Sequence, residues 1–499
     1  MALKRTKIIC TIGPATESPK KIKNLIKAGM NCARLNFSHG NYDHHSMLIR
    51  NIRKAGDKAK QPIAIIQDLQ GPRIRLGELP EDGLDIKRGD VVIFVKQSRS
   101  LTPKHKGDKH TLSGGTSDEI KSSTGVRDDN KSMTILPTQE NLAKLVKKGE
   151  IILIKDGLVR LRVISARGSS VTAKVEQGGV LTSNRGINLP ESKITNVVIT
   201  KKDKQDLKFG LKQKVDWVAL SFVRDASDIE SLRKLFPKSK TYQPKIIAKI
   251  ERKEAVENFD TILESADAIM VARGDLGIEL KAEEIPLLQK KFIEKCLKAS
   301  KPVIVATQML ESMTTNSRPT RAEVSDVANA VIDHTDAVML SSETSTGKYP
   351  IATCQMMRDI IQETEDSTYD DIEPHKEKYF DVSKIIAHTA EEVVESDHIR
   401  AIVVMSSSGK SARLVASERP QIPIIALTQN DISRKQMSLI WGVSPYFMKR
   451  YSKLDDLIKA TVKLAKKELK IKKGEKILIA SGHPTGPHGS LNLLKIHTV

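Results

Sequence analysis

Residues 246–280 read IIAKIERKEAVENFDTILESADAIMVARGDLGIEL, a strand, a helix and a second strand with charge gathered at the strand ends. In the apolar run Ile246 to Glu251, Lys249 and Glu251 stand two apart, so they project to one face of the pleat. Lys253 to Ser265 carries the three-and-four spacing of an amphipathic helix, and Asp267 to Arg273 returns as a buried strand through Ile269, Met270 and Val271. The connection has the length of a parallel crossover. Gly274-Asp275-Leu276-Gly277 then opens a helix-like turn, whose free backbone N–H groups can face an anion. Asp275 lies one crossover beyond Glu251, which places both carboxylates on the same rim of a sheet. Two carboxylates that hold Mg²⁺ with coordination positions open, beside a lysine, suit phosphoryl transfer. The alternative is a buried ion pair at a strand end.

The same alternation extends in both directions. Strands are expected at Thr6 to Ile12, Asn31 to Phe37, Ile63 to Gln67, Val215 to Phe222, Pro302 to Thr307 and Asp336 to Leu340. Helices are expected at Pro19 to Ala28, His44 to Ala55, Lys201 to Leu211, Ser227 to Leu235, Glu283 to Ala299, Arg321 to Ile332 and Ile351 to Glu363. With the opening unit this makes eight strand-helix pairs, which favours a closed (β/α)8 TIM barrel over an open doubly wound sheet. Arg34, Asp68, Lys249, Glu251, Asp275, Thr307 and Ser341 fall at the carboxyl ends of those strands, where such barrels carry their chemistry. Arg34, Asn36 and Ser38, at spacing two, point one way from the second strand.

Between residues 71 and 197 the period changes. Lys155-Asp156-Gly157 and Ala166-Arg167-Gly168 separate runs of alternating β-branched residues, the pattern of hairpins in a small inserted β-barrel domain. Within it Ser98 to Lys131 is polar and rich in lysine and glycine, and is expected to be a mobile excursion. Asp366 to Lys378 reads as a linker. From Val382 a second, open α/β set follows, with strands at Ala401 to Met405, Ile422 to Leu427 and Lys476 to Ala480. The expected domains are therefore 1–70 with 198–367, 71–197, and 368–499.

Composition narrows the function classes. The chain has 499 residues, 39% hydrophobic and 29% charged, as in soluble globular proteins. No apolar run approaches the roughly 18 to 20 residues of a membrane span. Met1 to Ile12 has only Ile8-Ile9-Cys10 as an apolar run and does not read as a secretory signal. Its four cysteines lack metal-ligand spacing, which fits reduced thiols in a cytoplasmic protein. A formal charge of +21 raises nucleic acid as a partner, but the lysines are dispersed and aromatics make up 4%, so anionic metabolites account better for the arginines. His44-His45 reads as a surface pair without metal spacing, and Leu454 to Lys473 as a helix with a solvated basic face. Ser406-Ser407-Ser408-Gly409-Lys410-Ser411 enters a helix and reads either as a phosphate cradle or as a serine-rich cap.

Five motifs in order resemble pyruvate kinases over essentially the whole chain. Ala33-Arg34-Leu35-Asn36-Phe37-Ser38-His39-Gly40 resembles that family's phosphate and monovalent-cation motif. Lys249-Ile250-Glu251 and Arg273-Gly274-Asp275-Leu276-Gly277 resemble its metal site. Ala306-Thr307-Gln308-Met309-Leu310-Glu311-Ser312-Met313 and Met339-Leu340-Ser341-Ser342-Glu343-Thr344 resemble its two remaining active-site strands.

The resemblance implies phosphoryl transfer from phosphoenolpyruvate to ADP in the cytoplasm, with Mg²⁺, or Mn²⁺ in its place, on Glu251 and Asp275. It places the substrate carboxylate on N–H groups around Gly274 and Asp275, and Lys249 and Arg34 about the phosphoryl group. It puts Thr307 near the carbon that is protonated, with Ser341 and Glu343 in a proton relay. Asn36, His39, Arg75 and Arg185 would meet the nucleotide, and the inserted domain would close over the barrel. It further implies a homotetramer and a phosphorylated effector at Ser406, Ser407, Ser408, Gly409, Lys410 and Ser411. The family often has lysine where Arg185 stands.

A second departure concerns K⁺. Potassium-activated members usually have a glutamate after the Gly-Pro, where this chain reads Asp68-Leu69-Gln70-Gly71-Pro72-Arg73. The Arg73 guanidinium is expected to replace K⁺ at the site formed by Asn36, Ser38, Asp68 and the Leu69 carbonyl. The rival readings are another Mg²⁺-dependent barrel enzyme acting on pyruvate or phosphoenolpyruvate, which would need neither Arg75 nor Arg185, and a nonspecific nucleic-acid binder.

Overall fold

A computed structural model describes residues 4–96, 134–155, 157–192, 198–239, 242–369, 381–449, 451, 454–482 and 491–499. The expected excursion at Ser98 to Lys131 lies outside the described residues, as does the expected linker from residue 370 onward.

Eight parallel strands close into a barrel: β1 (Lys7–Thr11), β2 (Met30–Asn36), β3 (Ala64–Asp68), β4 (Trp217–Leu220), β5 (Lys245–Ile250), β6 (Ala268–Ala272), β7 (Val303–Ala306) and β8 (Ala337–Leu340). Each pairs with its sequence neighbours, and β1 pairs with β8 from Lys7↔Ala337 to Cys10↔Leu340. Such strands are covered on both faces, which is why they read as continuous apolar runs. Alternate residues fill two layers. Ile9, Ile66, Trp217, Ile247, Met270 and Ile304 pack inside the barrel, while Ile8, Ile65, Val218, Ile246, Ile269 and Val303 meet the surrounding helices.

Local signals set the helix limits. Ser18 accepts from Lys21 N–H at the start of Pro19–Ala28, and Gly29 at φ 124 ends it. Thr320 and Glu323 form a reciprocal capping box ahead of Arg321–Ile332. The helix expected from Lys253 to Ser265 is two pieces, Lys253–Glu257 and Phe259–Ser265, broken at Asn258. Asn258 donates its side-chain amide to Arg224 O, and the break seats Phe259 against Phe292 with ring centroids 4.1 Å apart.

The chain forms two compact units, Pro72–Val197 with Gly277–Lys281 in one and the remainder in the other. The smaller holds a seven-stranded sheet, with the hairpin of Val159–Arg167 and Ser170–Gln177 at its centre.

The larger unit adds a five-stranded sheet to the barrel: β9 (Ile399–Met405), β10 (Ile424–Thr428), β11 (Val443–Phe447), β12 (Lys476–Ser481) and β13 (Leu493–Thr498), in the order β11-β10-β9-β12-β13. It is parallel except for β13, which runs antiparallel to β12. Gln436 to Val443 joins this sheet to the amino-terminal mouth of the barrel. Leu439 enters the barrel-interior cluster, Ser438 Oγ donates to Pro62 O at 2.6 Å, and Lys7 Nζ donates to Val443 O at 2.8 Å. With that mouth plugged, the open rim is the carboxyl one.

Candidate active site at the carboxyl ends of the barrel strands

Lys249 is the centre of a buried cluster. Its Nζ lies 2.8 Å from Glu251 Oε1 and 3.3 Å from Asp68 Oδ1, and donates to Ser221 Oγ at 2.9 Å. Arg34 Nε donates to Asp68 Oδ2 at 2.6 Å, and Arg34 Nη1 to Thr11 Oγ1 at 3.0 Å. Strands β2, β3 and β5 thus contribute charge to one spot and β4 a hydroxyl, because each places its polar group at or near its carboxyl end.

The charges are balanced by proximity. Burial disfavours the Lys249 ammonium, but Asp68 and Glu251 outweigh it and raise its pKa. Burial also disfavours charge on Asp68, and Lys249 and Arg34 reverse that and hold its carboxyl below the usual range. Glu251 goes the other way: burial, with the charge of Asp275 added, pushes its carboxyl up despite Lys249. Two repelling carboxylates, one of them buried, are a donor set that a divalent cation would satisfy. Asp275 sits in the first turn of the helix Arg273–Glu279.

Arg273 anchors that turn through Asp326, at 2.6 and 2.7 Å, and Thr307 O at 2.9 Å. Thr307 and Gln308 both adopt left-handed backbone, φ 71 and 54, a costly conformation for side chains other than glycine. The turn brings Thr307 Oγ1 to accept from Gly274 N–H at 2.7 Å. Ser341 N–H donates to Glu343 Oε2 at 2.6 Å, and Glu343 is fully buried between Ser341 and Leu310.

Asn36 Oδ1 accepts from Ser38 N–H at 3.1 Å, and the Leu69 carbonyl accepts from Ser221 Oγ at 2.7 Å. In the smaller unit, Gly186 pairs with Arg75 across the ladder. Arg75 Nη1 donates to Asn184 O at 2.9 Å, Arg185 Nε donates to Thr182 Oγ1 at 2.8 Å, and the Arg73 charge helps lower the Arg75 pKa after burial. Arg73, Arg75 and Arg185 therefore share one edge of that sheet.

The surface pair expected at His44-His45 is corrected. The helix runs Tyr42–Ala59, which turns His45 inward on the face of Leu48, Ile49 and Ile52. His45 is buried, stacks on Phe37 at 4.0 Å, and its Nε2 meets His39 O at 2.9 Å. His39 itself is exposed.

Ser221 and Phe222 escaped the sequence reading. Phe222 N–H donates to Glu251 Oε2 at 2.7 Å from a left-handed φ of 57. One dipeptide after β4 thus holds Lys249 by a hydroxyl and Glu251 by an amide. Its signal was present, since Ser221 follows the run Trp217-Val218-Ala219-Leu220 just as Lys249 ends its own strand.

At the amino-terminal end of the helix that follows β9, Lys410–Ser417, Gly409 adopts a left-handed φ of 86. Ser406 Oγ accepts from Ala412 N–H at 3.3 Å, and Ser407, Ser408 and Lys410 are exposed. Residues 483–490 lie outside the described residues. Among the described residues no helix is long and apolar enough to cross a membrane.

A closed barrel whose strand ends gather one ammonium, one guanidinium and paired carboxylates defines a barrel enzyme built for anionic substrates. Comparison with known proteins makes this specific. The family model "Pyruvate kinase, barrel domain" matches residues 3–113 and 97–354, and "Pyruvate kinase, alpha/beta domain" matches 384–497. A pyruvate kinase of Geobacillus stearothermophilus is 40% identical over 99% of this chain and 80% of its own length. One of Sporosarcina psychrophila is 39% identical over 100% of this chain and 81% of its own. The chain belongs to the pyruvate kinase family and is a phosphotransferase, and membership implies dependence on a divalent metal ion.

Proposed function

We propose that the chain transfers the phosphoryl group of phosphoenolpyruvate to ADP, with Glu251 and Asp275 holding Mg²⁺, or Mn²⁺ in its place. The observation that carries this reading is the Lys249 cluster, where Glu251 lies 2.8 Å from the ammonium and burial, with the Asp275 charge added, raises the Glu251 carboxyl. The bond between phosphorus and the enol oxygen breaks, a bond to a terminal oxygen of ADP forms, and the enolate left behind takes a proton at its methylene carbon. The metal supplies charge neutralisation between the two substrates.

The residues of the chain do the rest. Lys249, fixed by Asp68, Glu251 and Ser221, offsets charge on the moving phosphoryl oxygens from one side, and Arg34 does so from another. The substrate carboxylate takes Gly274 N–H from Thr307 Oγ1, which turns that hydroxyl toward the methylene carbon. Ser341 and Glu343 relay the proton, with the Glu343 carboxylate held in place by the Ser341 backbone N–H at 2.6 Å. Asn36, His39, Arg75 and Arg185 take the nucleotide, and closure of the 71–197 domain excludes water.

The chain works without K⁺. Support comes from Asp68, already matched by Arg34 and Lys249, and from the Leu69 carbonyl, already occupied by Ser221. Arg73 replaces the ion. The loop Ser406 to Ser411 binds a phosphorylated effector, and the protein is a cytoplasmic homotetramer; these rest on family membership.

A coupled pyruvate assay with phosphoenolpyruvate, ADP and Mg²⁺ tests the reaction: pyruvate should form only when all three are present. Pyruvate released without ADP would favour the rival Mg²⁺-dependent barrel enzyme. In tetramethylammonium buffer, added KCl should leave the rate unchanged, and Arg73→Glu should make it K⁺-dependent. Strong activation of the wild type by K⁺ rejects the Arg73 reading.

A further inference from the structure

We propose a second anion site on the barrel's amino-terminal side, where the Lys245 ammonium and the Arg413 guanidinium together bind a phosphate group. It is separate from the active site, which lies at the opposite end of β5. It is also separate from the amide face of the loop Ser406 to Ser411, because Lys245 Nζ donates to the Ser408 carbonyl, at 3.2 Å.

Two cations here are left without a counter-charge of their own. Among the described residues, Arg413 Nε is buried with no hydrogen-bond partner, and no ion pair brings a carboxylate to its guanidinium. Among the same residues Lys245 has the Ser408 carbonyl and the face of Trp217, 5.6 Å from the ring centroid. The acid that acts on both is Asp267, and it is engaged elsewhere: Oδ2 accepts from Arg233 at 3.2 Å and from Ile246 N–H at 2.9 Å. Lys301, also nearby, is spent on the carbonyls of Leu263, Glu264 and Ala266 at 2.6 to 2.8 Å.

Lys245, Arg413, Arg233 and Lys301 thus surround one carboxylate. Burial, with the Arg413 charge added, pushes the Lys245 amine down to about 7, against Asp267. An anion between them removes that repulsion and supplies the acceptor that Arg413 lacks. Access is open, since Lys245 and Arg413 are half-buried and Ser408 is exposed. Beside Arg413 a recess lined by Ser300, Lys301 and Ser417 continues the surface.

The test is calorimetric titration of the full chain with inorganic phosphate, with Trp217 emission as a second signal. The wild type should bind. Lys245→Met and Arg413→Met should each weaken binding by about tenfold, the effect of losing one charge-assisted contact. Lys245→Arg should retain it, and Ser411→Ala, on the amide face of the loop, should remove at most a separate calorimetric event and leave the Trp217 response to phosphate in place. Circular dichroism melts confirm that each variant is folded. No phosphate binding by the wild type overturns the proposal. So does binding that survives both Met substitutions but is lost in Ser411→Ala, an outcome that leaves the effector reading of the loop standing.

Discussion

Lys245 and Lys249 stand at opposite ends of one strand, and their environments drive them apart. Lys249, between Asp68 and Glu251, has its pKa raised. Lys245 is pushed down to about 7 by burial, with the Arg413 charge added. Burial opposes the charge of both. What separates them is the sign of the neighbouring charge, and that follows from which rim of the barrel each one reaches. The carboxyl rim sets Lys249 between two acids, whereas at the amino rim burial lowers Lys4 and Lys7 to about 8 and about 7.

The largest test of this contrast is Lys249→Met. Removing the ammonium should lower turnover by about a thousandfold or more, the scale of losing a fixed electrostatic stabiliser, while the melting curve stays cooperative. Turnover near wild type would take Lys249 out of the chemistry and leave the two lysines differing only in pKa.

Ser221→Ala is the next. The hydroxyl accepts from the Lys249 ammonium and so favours its charged form. Its loss should reduce kcat/KM by roughly tenfold, the value of a hydrogen bond to a charged group, and move the alkaline limb of the pH profile to lower pH. Ser221→Thr should restore both. A drop in rate with an unmoved alkaline limb would mean that Ser221 serves only packing.

The smallest effect belongs to the amino rim. The folded-state pKa of Lys7, about 7, lies below its unfolded value of 10.5, chiefly through burial. Between those values the unfolded chain binds the extra proton, so stability rises with pH across that window, by up to about 1.4 kcal/mol per pH unit. Below the folded value the cost of burying Lys7 is present in full. Urea unfolding at several pH values should show this slope in the wild type and a flatter one in Lys7→Met. Equal slopes would mean that water reaches the amine through the contact with Val443.

Sequence pattern went far for the barrel and less far elsewhere. Pro19–Ala28 and Arg321–Ile332 have the limits expected of them, because proline, glycine and capping residues act within a turn of their own position. The strands Val443–Phe447 and Leu493–Thr498 went unnoticed. The first contains Pro445, which argues against a strand but is tolerated at the sheet edge it occupies. The second is half exposed on an edge and lacks a clean apolar run. His45 was misplaced although it stands three and four residues before Leu48 and Ile49, on the buried face of its helix.

The sequence alone settled that eight apolar strands end in polar residues and that Lys249, Glu251 and Asp275 belong to one rim, since strand period and crossover length are local properties of the chain. Only the tertiary structure decided that Arg34, Asp68 and Ser221 meet Lys249, that Leu439 plugs the opposite mouth, and that Arg413 comes beside Lys245. Those pairings join residues far apart in sequence, and barrel closure and the docking of the five-stranded sheet set them. The charge state of each lysine follows from such neighbours, and no stretch of sequence read by itself contains them.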